Sequence, residues 1–172
     1  WQEMKKEIIN QDLEDIFDLE SDLFPCLVDM RFKGVRVDVE RAHNMKKEFK
    51  KAEQELLHKI KKETNVDTQI WAARSVANVF DMLRLEYPTT DKTGAPSFTK
   101  NFLQEHEHPV VNMIAQAREI NKAHTTFLDS IISYEHKGRI HAEINQLRNA
   151  GGGTVTGRFS YQNPNLQQIP AR

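Results

Sequence analysis

The apolar residues of this chain change their spacing near residue 134, and this change is the strongest constraint on the fold. Before it, apolar side chains recur every three or four positions, which is typical of amphipathic helices. After it, the stretch RIHAEINQLRN alternates apolar and polar residues, and TVTGRFSY follows a glycine-rich connection. The sequence therefore predicts a mainly α chain that ends in a small antiparallel β element, a hairpin, and so an α+β fold.

The clearest helical pattern lies in residues 39–63. Apolar side chains form one stripe there and lysines occupy the other face, so one side should pack and the other should be solvated. Weaker patterns predict further helices up to Met30, over 73–85, from Ser97 to near Leu103, and over 109–133. Pro25 should kink or restart the first of these helices, and Gly34 should end it.

Composition excludes several classes of protein. A length of 172 residues with 38% hydrophobic and 28% charged residues suits one globular domain or two small subdomains. No run approaches the roughly 18 apolar residues that a membrane-spanning helix needs, so we expect no membrane partner. The N-terminus also lacks the apolar core of a signal peptide. The single cysteine, Cys26, excludes an internal disulfide and indicates a reducing compartment, and we expect it to fill apolar space between Phe24 and Leu27.

Charge is distributed unevenly, although the formal net charge is only −1. Residues 1–31 include nine acidic side chains, whereas residues 137–172 include five cations and Glu143 as the only acid. A basic end that is also rich in amides indicates an anionic partner. Chance placement of solvated charges explains the same imbalance equally well.

A further pair of cations lies in the predicted helix 109–133. Arg118 and Lys122 are four residues apart, so they share one helix face, and Asn121 and Thr125 flank them. This group could contact phosphate, and two solvated bases are an equally good explanation.

Known catalytic and metal-binding motifs are missing. The glycines near residue 151 fit neither the GxGxxG nor the GK[ST] nucleotide fingerprint. His106 and His108 have no neighbouring ligands in the sequence, and a lone pair of histidines is a weak indication of a metal site. We therefore expect no catalytic residue and no metal site in this chain.

One segment resembles a known family. TGRFSYQNPNLQQIPAR, which ends at Arg172, resembles the TGR-L-S and PNLQ-x-IP-x-R signature of family A DNA polymerases, the DNA polymerase I class of bacteria and phages. Upstream, DLFPCLVDMRFKGVRVD, KTGAPS, AREINKAHTTFLD and KGRIHAEINQ resemble, in that order, the lead-in to the thumb, a thumb-tip loop, the helix from thumb to palm, and a palm strand. The resemblance covers nearly the whole chain, from about Asp18 to Arg172.

The resemblance implies a division of the chain and a function. Residues 1–37 would be a helical lead-in, 38–134 the helical thumb subdomain, and 135–172 the start of the palm. The parent would be a DNA-directed DNA polymerase that adds dNTPs to a primer 3′ end by two-metal phosphoryl transfer with Mg2+. Because the family's first catalytic aspartate lies beyond the position of Arg172, this chain alone should be inactive and bind no cofactor. Its expected partner is primer–template DNA, with dNTP bound only by the full-length parent, as a monomer in the cytoplasm of a bacterium or a phage-infected host.

The resemblance also implies which side chains contact DNA. Arg158 corresponds to an arginine that reaches the minor groove at the primer end, where every base pair offers acceptors. The remaining contacts follow the template–primer or its phosphates, and they are assigned to Arg118, Lys122, Asn163, Asn165, Gln167, Gln168 and Arg172. Phe159–Tyr161 and the VDTQIWAARS stretch depart from the family pattern, so we assign no contact to Thr68 or Gln69.

Two other classes of function remain open from the sequence. The chain could be a non-catalytic nucleic-acid-binding module, in which case its binding should fall steeply with salt. It could also be a helical interaction protein whose charges are solvated, and such a protein should not bind DNA even at low salt.

Overall fold

The structure is a computed structural model that describes residues 1–148 and 152–169. It confirms a mainly α chain with small antiparallel sheets, as the change of period predicted. The helices, in chain order, are α1 (Gln2–Asn10), α2 (Glu14–Lys33), α3 (Val39–Thr64), α4 (Ala73–Leu83), α5 (Lys100–Glu105), α6 (Pro109–Lys122) and α7 (Asp129–Ser133). The strands are β1 (Val35–Arg36), β2 (Glu135–His136), β3 (Arg139–Ile140), β4 (Glu143–Asn145) and β5 (Ser160–Gln162). Within the described part of the chain, no helix is long and apolar enough to cross a membrane.

The chain divides into two compact units. The helical unit is Glu40–Ser130, and the mixed unit joins Trp1–Val39 to Ile131–Arg172. The segments predicted as lead-in and as palm therefore contribute to the same unit.

The helical unit is built around an apolar core from α3, α4, α5 and α6. The predicted stripe of α3 is buried or half-buried along its whole length, down to the fully buried Ile60. Phe80 of α4 lies at the centre of an aromatic cluster, with ring centroids 4.9 Å from Phe98 and 5.9 Å from Phe102. His106 packs edge-on against Phe80 at 5.7 Å, so this histidine contributes to the core.

The long helix predicted for 109–133 is present, with an interruption in its hydrogen-bonding pattern. Ala123–Leu128 forms a π-helical turn between α6 and α7. Pro109 occupies the first turn of α6, as predicted, and the ring of His108 caps it by accepting a bond of 3.3 Å from the amide of Val110. A π turn shifts the side chains that follow it around the helix axis. A prediction that assumes regular three- and four-residue spacing of apolar side chains therefore does not show such a turn.

Three local predictions were wrong. The helix does not restart at Pro25, which lies inside α2, and the break comes earlier, between α1 and α2. The helix predicted from Ser97 begins at Lys100, and the hydroxyl of Thr99 caps it by accepting a 3.3 Å bond from Phe102. Cys26 is exposed rather than enclosed by apolar neighbours.

The mixed unit contains a three-stranded antiparallel sheet in the order β1-β3-β2. Lys137 and Gly138 both have positive φ, 51° and 77°, and form the two-residue turn between β2 and β3 that such hairpins favour. Gly34 ends α2 as predicted, with φ 64° and its amide donating to the carbonyl of Met30 at 2.9 Å. This brings the end of α2 and β1 alongside β3.

The predicted terminal hairpin exists, but its strands differ from the prediction. The first strand divides into β3 and β4, which belong to different sheets, while Ile140 and Ala142 are buried in the expected alternation. The second strand, β5, begins only at Ser160 and pairs antiparallel with β4. Before it, Thr154 donates its hydroxyl to the carbonyl of Arg158 at 2.6 Å and Gly157 has φ 68°, so this stretch forms a loop instead of a strand.

Candidate nucleic-acid interface

Arg158 lies in the exposed loop that precedes β5. The hydroxyl of Thr154 holds its carbonyl, as described above, so the backbone is fixed while the guanidinium faces solvent. Within residues 1–148 and 152–169, no hydrogen bond or ion pair engages the Arg158 side chain. Its donors are therefore available to a ligand.

The segment after β5 turns sharply at Asn163–Pro164, whose peptide bond is cis. Asn163 has φ 53° and its amide oxygen accepts a 3.3 Å bond from the hydroxyl of Tyr134, while Pro164 is buried. Asn165, Gln167 and Gln168 follow this turn directly, and its role in aiming them at DNA stays a prediction.

The amides in this stretch have different roles. Asn165 caps the 3-10 turn Leu166–Gln168 by accepting a 3.1 Å bond from the amide of Gln167. The side chain of Gln167 donates to the carbonyl of Phe159 at 3.1 Å and accepts from the amide of Tyr161 at 3.3 Å. Gln167 therefore holds the shape of the loop, and its contact with DNA stays a prediction.

Gln168 is exposed, and Arg172 lies outside the described residues. Of the five described residues among the six predicted contacts in the signature, Arg158 and Gln168 combine exposure with side chains free of hydrogen bonds to the described residues. The role of all six in binding DNA stays a prediction.

Arg118 is held inside the helical unit. Its Nε donates to the carbonyl of Ile70 at 2.7 Å, its Nη1 donates to that of Phe98 at 2.8 Å, and its guanidinium lies 5.3 Å from the ring centre of Trp71. Burial lowers the pKa of Arg118 below the ordinary value of a guanidinium. Lys122, one turn later, is exposed.

A cavity of about 290 Å³ lies around Arg118. Its walls include Trp71, Lys100 and Lys122, and the Lys100 ammonium lies 3.5 Å from the carboxylate of Glu119. The sequence did not identify Trp71 or Lys100 as residues of a site. A tryptophan in a polar loop was the signal that could have identified Trp71, and nothing near Lys100 in the sequence marked it.

A chain of hydrogen bonds fixes Trp71. Its indole donates to Asn121 at 2.8 Å, the amide of Asn121 donates to Glu53 at 2.9 Å, and Glu53 pairs with His124 at 2.6 Å. Thr125 donates to the backbone carbonyl of Asn121 at 2.7 Å. Asn121 therefore links α3 to Trp71, and phosphate contact by Asn121 and Thr125 stays a prediction.

The described residues do not fit a catalytic metal site. No group of three or more His, Cys, Asp or Glu side chains lies close enough within them to hold a metal ion.

Comparisons with known proteins agree on one family. The family model described as DNA polymerase family A matches residues 39–172. A polymerase of Pseudomonas phage M6, named DNA-directed DNA polymerase, is 33% identical over 98% of this chain and 27% of its own length. The thermostable DNA polymerase I of Thermus filiformis is 33% identical over 90% of this chain and 19% of its own.

A solved structure has the same fold. It is the POL domain of Pol1 from M. smegmatis in complex with DNA primer–template and dNTP, and its TM-score is 0.78 at 24% identity. It matches 97% of this chain and 30% of its own. The chain thus spans about a quarter of the phage relative and under a third of this structure.

Proposed function

The chain belongs to DNA polymerase family A, and from that premise we propose that it binds primer–template DNA on behalf of a polymerase. The phage and bacterial relatives are polymerases, and the protein with the same fold is bound to primer–template. The parent would add dNTPs to a primer 3′ end by two-metal phosphoryl transfer, working as a monomer in the cytoplasm of a bacterium or phage-infected host.

The observation that best supports this proposal is the form of the loop around Arg158. Thr154 holds the carbonyl of Arg158 itself and Gln167 holds that of Phe159, whereas the Arg158 guanidinium is free to donate. A fixed backbone with a free donor reduces the entropy lost on binding. A donor aimed at minor-groove acceptors binds any base pair, as a polymerase requires.

We assign the thumb to residues 38–134, which include the whole helical unit, and the start of the palm to residues 135–172. Lys122 and Gln168 are exposed and suit contact with the DNA backbone and groove. Arg118 would act mainly by holding Trp71 and the cavity in place, since two of its nitrogens already donate to carbonyls.

We place Mg2+ and catalysis in parts of the parent other than the described residues. Two-metal transfer needs clustered carboxylates, and the described residues offer no such cluster. With Mg2+, dNTPs and a primed template, this chain alone should not extend the primer. Extension by a preparation free of contaminating polymerase would contradict this.

The test of DNA binding is Arg158→Ala, with Arg36→Ala as its control. Arg36 is an exposed arginine of the same unit, in β1. In fluorescence anisotropy with a primer–template junction, Arg158→Ala should weaken binding by about 1–3 kcal/mol, the loss expected for one base-edge contact. Arg36→Ala should bind like the unchanged chain.

Equal losses in the two variants would show a general effect of charge and would overturn the role of Arg158. Unchanged affinity in both variants would do the same.

A further inference from the structure

The mixed unit has a basic concave surface that lies outside the signature segment. It encloses about 990 Å³ between the last turn of α2 and the hairpin of β2 and β3. We call it the basic pocket and define it by Arg31, Phe32, Lys33, Lys137, Arg139 and His141.

The walls of the basic pocket are fixed by bonds between its two sides. Nη1 of Arg139 donates to the carbonyls of Lys33 and Gly34, at 3.1 Å each. Nδ1 of His141 lies 2.8 Å from the carbonyl of Arg31, which it can reach as a donor. The hairpin therefore covers the carbonyl end of α2, and the pocket is formed before any ligand arrives.

The charge of the pocket is mainly uncompensated. Arg31 lies 3.5 Å from the carboxylate of Glu143, which partly offsets it. Lys33 and Lys137 have no ion pair with any described residue, and both are exposed. Two free ammonium groups on a preformed concave surface favour an anionic ligand.

Phe32 is the unusual member of the pocket. Its side chain is 86% exposed, the highest value among the large apolar residues that the structure describes. Val28, one turn earlier in α2 and 48% exposed, lines the same surface, and so do Arg31, Lys33 and Lys137. An apolar protein surface would have to desolvate those charges to cover Phe32. A ligand with both a flat aromatic face and a negative charge suits Phe32 and its neighbours together.

We propose that the basic pocket binds single-stranded nucleic acid. A base would stack on Phe32 while the phosphates beside it pair with Lys33 and Lys137, the combination by which single strands are bound without sequence preference. A duplex does not fit as well, because its bases are already stacked on one another. This site is separate from the proposed contact of Arg158, and the two proposals can fail independently.

The aromatic part is tested by Phe32→Ala, with Phe24→Ala as a matched control. Phe24 lies in the same helix, is 59% exposed and is outside the pocket. With a labelled oligothymidylate of about 12 nucleotides, Phe32→Ala should weaken binding at least about fivefold. Phe24→Ala should leave the affinity unchanged.

The charged part is tested by Lys33→Ala combined with Lys137→Ala. Removing two phosphate contacts should reduce the slope of log affinity against log salt by about 1.4 for a single strand. Lys5→Ala with Lys6→Ala, which removes two exposed lysines of α1, should leave the slope unchanged.

Three results would overturn the proposal: oligothymidylate affinity unaffected by Phe32→Ala, equal losses in the Phe24 control, or displacement of the oligonucleotide by polyglutamate as effectively as by unlabelled oligothymidylate. The last would identify an acidic protein as the better ligand.

Arg158→Ala should weaken binding to a primer–template junction and leave oligothymidylate binding intact. If junction binding is absent while Phe32 still governs oligothymidylate binding, the basic pocket stands and the proposed function fails.

Discussion

Gln167 makes two hydrogen bonds to the backbone before β5 and within it, and its neighbour Gln168 provides a natural control. Gln167→Ala leaves the carbonyl of Phe159 and the amide of Tyr161 without these partners. We expect a loss of about 1 kcal/mol in the free energy of unfolding, because the site is exposed and water replaces part of each bond. Gln168→Ala should change it by less than about 0.5 kcal/mol. Urea unfolding followed by circular dichroism measures both, and equal losses would contradict the role of Gln167.

At the scale of single residues, the family resemblance identified side chains of interest but not the groups to which they are hydrogen-bonded. It identified Arg118 and Gln167, yet the structure engages both with backbone groups inside the protein. The partner of Arg118 is distant in the sequence, since Arg118 donates to a carbonyl 48 residues earlier. No local pattern encodes such a contact, and the exposed Arg158 has a side chain whose donors remain available for the role that was predicted.

Among the elements, the pair of Glu53 and His124 joins α3 to the π-helical turn. Their side chains are 13% and 8% exposed, and Glu53 also accepts from Asn121. Because removing one partner leaves a buried polar group unpaired, Glu53→Ala should lower the free energy of unfolding by about 3 kcal/mol. Glu55→Ala is its control in the same helix, since Glu55 pairs with Lys51 at 3.9 Å and both side chains are exposed.

The control variant should lose less than about 0.5 kcal/mol. If thermal and urea unfolding give the two variants the same stability, the buried pair does not hold these elements together.

Alanine at Gly34, compared with alanine at Gly94, tests how closely the end of α2 approaches the residues that follow β3. Both have φ 64°, but a Cβ on Gly34 would lie 2.8 Å from the ring of His141 and from the carbonyl oxygen of Ile140, whereas a Cβ on Gly94 meets nothing within 4 Å. Alanine costs about 1–2 kcal/mol at either position for its backbone conformation. Gly34→Ala should cost about 1–3 kcal/mol more, by overpacking. Similar unfolding midpoints for the two variants would contradict the close approach.

Helix positions were the most predictable elements, because apolar spacing in α3, α4 and α6 follows directly from which face is buried. Caps and strand ends were less predictable. Ser97 and Thr99 are both good N-caps, and only the tertiary position of α5 selects Thr99. The loop around Gly157 replaced the first half of the predicted second strand because a side chain, that of Thr154, bonds to its backbone.

At the scale of the whole molecule, the sequence predicted the fold class and the family but not that the two ends of the chain form one unit. The mixed unit joins the two ends of the chain, with β1 paired to β3 and Arg139 bonded to a carbonyl 105 residues earlier. Periodicity reports only which face of an element is buried, so it could not show that Trp1–Val39 packs with the later strands. Topology of this kind depends on long-range contacts.

The most direct test of the central claim is the salt dependence of binding to primer–template DNA. The unchanged chain should bind a labelled junction at low salt, and log affinity should fall linearly with log salt by about 0.9 for each phosphate contact. Anisotropy titrations over a series of salt concentrations measure this slope. No binding at the lowest salt would contradict the account and would favour a helical protein whose charges are merely solvated.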